Sequence, residues 1–122
     1  KFYDISPYKA WQGEEDEGQL SSLFVLMSLG LFEMDGGCSI KPYYDLSSPL
    51  FEKAVIQLDK TYYGGKKFSI ETRNNSMENV YIQSVTINGV ALKKPVLYHE
   101  DLIKGGRLIF EMGNKPNVKW GQ

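Results

Sequence analysis

The sequence predicts an α+β chain that is mainly β. One buried-type helix near the start should be followed by an antiparallel sheet or sandwich of five or more strands. Three observations carry this. Between Gly18 and Leu29 the apolar residues recur at helical spacing and cover nearly the whole circumference. From Ala54 onward the period changes to two. Asn88-Gly89 then follows "VYIQSVTI", and both residues of this pair accept positive φ, so it is a strong hairpin signal.

The elements follow in order. Residues 1–13 mix Tyr, Pro and Gly without a period and read as a loop with an extended entry. In the helix, Leu20, Leu23, Phe24, Met27 and Leu31 share one face, while Val25, Leu26 and Leu29 occupy much of the other. Only Gln19, Ser21, Ser22 and Ser28 are polar, so such a helix should be covered on more than one side. Gly30 is a natural stop. Asp35-Gly36-Gly37 marks a turn, and residues 39–51, with two prolines, read as irregular. Strands are expected at Ala54–Leu58, Phe68–Arg73, Val80–Ile87 and Leu108–Met112, and "VALKK" should fold back after Asn88-Gly89. Tyr63-Gly64-Gly65 and Arg73-Asn74-Asn75 are turns, and "HEDLIKGG" is a single helical turn.

Composition narrows the function classes. With 122 residues, this is one domain or a piece of a larger one. The net charge of -1 gives no basic footprint for nucleic acid or for an anionic membrane surface. The longest apolar run, Leu23 to Leu29, is broken by Ser28 and is too short to span a bilayer. One cysteine, Cys38, makes no internal disulfide, and one histidine, His99, makes no multi-histidine metal site. Cys38 reads as a small core or turn residue, and His99 as a surface or helix-capping one. No signal peptide is visible, and the compartment is not legible in this chain.

The unusual feature is "GEEDEGQ", which sets Glu14, Glu15, Asp16 and Glu17 directly before the apolar helix. Carboxylates near a helix N-terminus meet the positive end of the macrodipole, worth about 0.3–1 kcal/mol each, and that alone could account for one or two of them. Four adjacent like charges ask for more. In an extended segment Glu14 and Asp16 share one side, and Glu15 and Glu17 the other. A carboxylate pair of this kind can position and deprotonate a water, and paired carboxylates are the tools of glycoside hydrolysis. Trp11, Tyr43, Tyr44, Tyr62, Tyr63 and Trp120 offer rings for sugar stacking, against core or edge packing as the plainer role. Asn74-Asn75-Ser76 fits a glycosylation sequon and also a simple turn, and the turn is the preferred reading.

Longer stretches carry a resemblance. "GEEDEGQLSSLFVLMSLGLFEMDGGCS", "SSPLFEKAVIQL", "FSIETRNNSMENVYIQSVTING" and "HEDLIKGGRLIFEMGNKPN" resemble the C-terminal end of glycoside hydrolase family 92, the exo-acting α-mannosidases. The resemblance implies a catalytic (α/α)6 barrel and calcium-assisted hydrolysis with inversion at the anomeric carbon. Residues 1–32 would be the end of that barrel, with its last helix, residues 33–53 an irregular link and residues 54–122 a C-terminal antiparallel β region. It implies Asp16 as general base with Glu14 as its partner, and Glu15, inside the motif, at the substrate; Trp11 is the ring placed by its position, two residues before the motif, to line the pocket mouth. Glu15 could also support the calcium shell, although no metal ligand is assigned within this chain. The resemblance places the general acid and the calcium contacts upstream, and Glu33, Glu52, Glu71, Glu78, Glu100 and Glu111 offer no candidate acid, since all fall in turns or strands beyond the helix. The expected ligands are α-mannoside glycans, cleaved by a periplasmic, outer-membrane-associated or secreted parent. The chain alone is then expected to be inactive, with the apolar helix over 19–31 open to self-association. The competing readings are a non-catalytic β-sandwich carbohydrate-binding module and an interaction domain.

Overall fold

A computed structural model describes residues 18–121. The helix α1 runs over Gln19–Ser28, followed by β1 (Leu31–Phe32), β2 (Tyr43–Leu46) and β3 (Lys53–Gln57). Then come the short helix α2 (Lys60–Tyr63), β4 (Lys67–Arg73), β5 (Tyr81–Ile87), β6 (Val90–Ala91), β7 (Val96–Tyr98), the helical turn α3 (His99–Leu102) and β8 (Gly106–Gly113). The strands form two sheets, one ordered β1-β2-β7 and the other β3-β4-β8-β5-β6. The mainly-β expectation holds, and the long strands fall where the period of two placed them.

The two sheets share one core. Leu31 and Leu97 from the small sheet join Phe68, Ile70, Val85, Leu108, Phe110 and Met112 from the large one, all buried. Period two explains the membership: Phe68 and Ile70 on β4 and Leu108, Phe110 and Met112 on β8 are alternate residues and point the same way. Burying a Phe or Leu side chain is worth about 1.5–3 kcal/mol, so this row supplies much of the stabilisation.

Three expectations change. The sheet is not wholly antiparallel: β8 enters between β4 and β5 and runs parallel to β4, with Phe68 opposite Gly106 and Arg73 opposite Glu111. Side-chain alternation is the same for both strand directions, so the pattern carries no sign of this. The stretch 39–51 is not irregular throughout, because Tyr43–Leu46 forms β2 between β1 and β7. Finally, Tyr63-Gly64-Gly65 is the end of α2 rather than a bare turn. The Asp59 side chain accepts from the amides of Thr61 (2.7 Å) and Tyr62 (2.9 Å) and starts the helix, and Gly64 closes it at φ 70°.

The Asn88-Gly89 turn forms as expected, with φ 49° and 84°, and pairs Ile87 with Val90. Its role extends beyond the hairpin. The Asn88 side chain accepts from the Arg107 amide (2.8 Å), and the Asn88 amide donates to the Arg107 carbonyl (2.8 Å). The turn therefore fixes where β8 begins.

Helix α1 is held at its C-terminal end. The last carbonyls of a helix lack intrahelical partners. Here the Leu50 amide donates to the Ser28 carbonyl (3.0 Å), and the Ser47 amide donates to the Gly30 carbonyl (2.9 Å). Gly30 sits at φ 79°, and a Cβ there would lie 2.6 Å from Pro49 Cγ and 2.7 Å from the Ser47 carbonyl oxygen. The same segment reaches the large sheet: Thr72 donates its hydroxyl to the Phe51 carbonyl (3.0 Å), Asn75 its amide to the Pro49 carbonyl (3.3 Å), and Ser48 its hydroxyl to the Val80 carbonyl (2.6 Å). "SSPLF" is thus the joint between helix and sheets.

Along the helix itself Leu26 and Leu29 pack against the core and Ser28 is buried, but Phe24, Val25 and Met27 remain 63%, 60% and 45% exposed. The described residues cover one side of a helix whose composition asks for more.

The outer face of the large sheet is charged. Cross-strand neighbours Lys53 and Glu71 are paired at 3.0 Å, Arg73 and Glu111 at 2.8 Å, and Arg107 approaches Glu71 at 3.6 Å. The Lys53 hydrogen bond, with help from Arg107, holds the Glu71 carboxyl below the usual carboxylate range, against a smaller opposing effect of burial.

Two outcomes are expected. Gly30→Ala should destabilise the chain by about 2 kcal/mol or more, because it adds positive-φ strain to a backbone clash, and thermal unfolding will read this as a lowered Tm. An unchanged Tm would contradict the tight joint. For Glu71, a folded-state pKa below the unfolded one means stabilisation that is present above the unfolded value and lost as the pH falls through the folded one. Tm should therefore drop as the pH falls from the usual carboxylate range to below it, and Glu71→Gln should lower Tm at neutral pH while flattening that drop.

Candidate active site

Trp11, Glu14, Glu15 and Asp16 lie outside the described residues. The structure does describe the platform that follows them. Gly18 occupies the N-cap of α1 in the left-handed region (φ 72°, ψ 16°), and a Cβ there would meet nothing within 4 Å. The first helical bond is donated by the Ser22 amide to the Gly18 carbonyl at 2.9 Å. No acidic residue falls in the first turn. Gly18 has no side chain with which to cap, and α1 begins at Gln19, after the acidic motif in sequence. A positive-φ residue also redirects the chain at the helix entrance, a conformation that costs glycine little.

The other candidates have structural roles. His99 Nδ1 lies 2.9 Å from the Tyr44 hydroxyl, and the His99 amide donates to the Pro42 carbonyl at 2.9 Å. The Tyr63 ring stands edge-on to the His99 ring at 6.5 Å. These contacts tie α2, β2 and α3 together. Burial, followed by the nearby charge of Glu33, pushes the Tyr44 hydroxyl above the usual tyrosine range, so it stays protonated. Tyr43 packs edge-on against Tyr98 at 6.5 Å. Trp120 packs against the core and donates its indole N–H to the Leu92 carbonyl at 3.1 Å. Tyr62 is the ring most open to solvent among these, at 83%. Cys38 is exposed in the loop after Gly36-Gly37 and not in the core. Asn74 takes φ 57°, and the Ser76 hydroxyl accepts from the amides of Glu78 and Asn79, so Asn74-Asn75-Ser76 is built as a turn.

The carboxylates beyond the helix are engaged elsewhere. Glu71 and Glu111 are in the sheet-face ion pairs, and Glu100 pairs with Lys41 at 2.9 Å beside the Tyr98 ring. Among the described residues no three His, Cys, Asp or Glu side chains converge as a metal site. No described helix is long and apolar enough to cross a membrane.

The model of the glycosyl hydrolase family 92 catalytic domain matches residues 1–114. The chain belongs to glycoside hydrolase family 92. The match runs through the acidic motif, α1, both sheets and all but the last residues of the chain. This family 92 chain is similar to an uncharacterised secreted glycosidase of Arthroderma benhamiae, 32% identical over 111 residues, covering 89% of this chain and 13% of the relative. Among solved structures it resembles a family 92 α-mannosidase from Bacteroides thetaiotaomicron in complex with mannoimidazole, at 28% identity and a TM-score of 0.82, covering 98% of this chain and 15% of that one. It also resembles a family 92 inverting mannosidase from the same organism, at 32% identity and a TM-score of 0.76, covering 96% and 15%. The chain thus spans about a seventh of the length of these relatives.

The Tyr44–His99 bond escaped sequence reasoning. It joins residues 55 positions apart, and no local pattern announces such a pair.

Proposed function

We propose that this chain is the C-terminal part of an inverting α-mannosidase that removes terminal α-linked mannose from N-glycans or mannans. The supporting observation is that the family match spans the acidic motif and the helix that starts directly after it. In this reading residues 1–32 close a helical barrel, residues 33–53 connect, and residues 54–122 form a β layer behind it. The connection carries β2 and is therefore ordered in part.

Asp16 takes a proton from a water, whose oxygen forms the new bond to the anomeric carbon as the bond to the leaving oxygen breaks. Glu14 holds the water or the base in place. A general acid elsewhere in the domain protonates the leaving oxygen from the opposite side. Inversion needs the two carboxyl groups roughly 6.5–9.5 Å apart, with the water between them, so a base on one segment and an acid on a distant one is the arrangement the chemistry asks for. Trp11 offers a ring to the sugar face and Glu15 a carboxylate to its hydroxyls.

Calcium belongs to the same reading of the whole enzyme. A calcium ion takes about six to eight oxygen ligands, and the described residues hold no convergent acidic set for it. No step assigned to this chain runs through the ion. The parent is expected in a secreted, periplasmic or outer-membrane-associated setting.

The test is Asp16→Asn in the enzyme of full domain length, with the 122-residue chain assayed beside it. The variant should lose about a thousandfold or more in kcat with little change in KM, and the chain alone should release no mannose from an aryl α-mannoside. Retention of most turnover by the variant would remove Asp16 as base, and mannose release by the chain alone would refute the partial-site reading.

A further inference from the structure

Tyr62 stands 83% open to solvent on a helix that is itself firmly held, with Tyr63 beside it at 36%. The two rings meet at 6.4 Å and 53°, so they form a corner. Together with Lys66, and with Glu100, Ile103 and Lys104 at α3, they line an open cleft of about 460 Å³. Small-ligand pockets run from about 300 to 1,000 Å³.

The corner is fixed before any ligand arrives. Asp59 caps α2 through the amides of Thr61 and Tyr62, and the Tyr63 amide donates to the Asp59 carbonyl at 2.9 Å. The Leu58 amide donates to the Lys66 carbonyl (2.9 Å) and the Gln57 side chain to the Gly65 carbonyl (2.8 Å), which ties the loop to β3 and β4. Tyr63 is backed by the His99 ring, which Tyr44 holds in turn. Rings placed in this way lose little freedom on binding.

We propose that this cleft is a second glycan site, separate from the hydrolytic one, in which Tyr62 stacks on a pyranose ring of an α-mannoside chain while Lys66, Glu100 and Lys104 hydrogen-bond its hydroxyls. The pyranose class comes from the cleft, and the choice of mannoside rests on the α-mannosidase reading. A pyranose has an apolar C–H face and a rim of hydroxyls, which an aromatic ring with polar groups at its border complements. An ion fits less well. Glu100 and Lys104 have opposite signs, and Lys41 (2.9 Å) and Asp101 (2.8 Å) already balance them. Lys41 engages Oε1 of Glu100, which leaves the other oxygen to accept from a hydroxyl.

The topology sets this cleft apart from the helix that follows the acidic motif. α2 joins β3 to β4 at the Gln57–Lys67 end of that pair. The SSPLF joint, which carries α1, is bonded at the other end, where Phe51 meets Thr72. The five residues of β3 lie between them, roughly 17 Å at about 3.4 Å per residue. An enzyme that removes terminal mannose repeatedly gains from such a site, because a chain retained there has a high effective concentration at the hydrolytic site.

Titration calorimetry of the 122-residue chain with a linear α-mannopentaose reads the site directly. Millimolar-range binding is expected, weakened about tenfold or more by Tyr62→Ala, kept within about twofold by Tyr62→Phe, and unaltered by Asp16→Asn. Both Tyr62 variants alter an exposed ring and should keep the parent unfolding transition. In the enzyme of full domain length, Tyr62→Ala should raise KM for polymeric α-mannan about threefold or more, and leave kcat and KM for an aryl α-mannoside unchanged. The proposal is overturned by absence of binding, by binding that ignores Tyr62→Ala or is lost with Asp16→Asn, by a mannan KM indifferent to Tyr62, or by an equal effect on both substrates. Tyr62-dependent binding by a chain whose intact parent hydrolyses no mannoside would sink the catalytic reading and leave the site standing. Hydrolysis by the intact parent, with no oligosaccharide bound by the chain, would sink the site and leave the catalytic reading.

Discussion

Two backbone hydrogen bonds at the end of α1 govern the arrangement of this chain: Leu50 amide to Ser28 carbonyl and Ser47 amide to Gly30 carbonyl. Each is worth about 0.5–1.5 kcal/mol net, which is modest. Their importance is geometric. They close the open end of the helix with the segment that also binds Phe51 to Thr72 and Pro49 to Asn75, so helix and large sheet are joined through one short stretch. Gly30 makes the approach possible, since any Cβ would occupy the space of Pro49 and the Ser47 carbonyl.

This joint bears on function because α1 is the element that follows the acidic motif. A carboxylate acting as general base must be held within a fraction of an ångström of its water. A helix anchored at its far end to a two-sheet core gives its near end, at Gly18, a fixed position and direction. The β region therefore anchors the helix that follows the acidic motif in sequence. The carboxylates of Glu71, Glu100 and Glu111 are held in ion pairs on the surface of that region.

Much of the fold was legible in the sequence, and the exceptions share a cause. The strands at Lys53–Gln57, Lys67–Arg73, Tyr81–Ile87 and Gly106–Gly113 are long enough for a period of two to stand out, and α1 is long enough for a period near four. The small sheet was not legible. Its strands at Leu31–Phe32 and Val96–Tyr98 are too short to show any period, and Tyr43–Leu46 is half-buried at every position. The direction of β8 is likewise absent from the pattern, since alternation does not encode it. At the site, residue types raised the carboxylate pair as one option beside the helix dipole, and only the longer resemblance assigned roles to Asp16 and Glu14. The contribution of the structure is the glycine N-cap: α1 begins at Gln19, after the last acidic residue of the motif in sequence.

The central claim is that α1 and the sheets form one cooperative unit through the SSPLF joint. Native-state amide hydrogen exchange tests it most directly. The amides of Ser47 and Leu50 should exchange with the same opening free energy as those of β4 and β8, only through global unfolding. Fast exchange of these two amides by local opening, while β8 stays protected, would show that the helix is not anchored and would contradict the account.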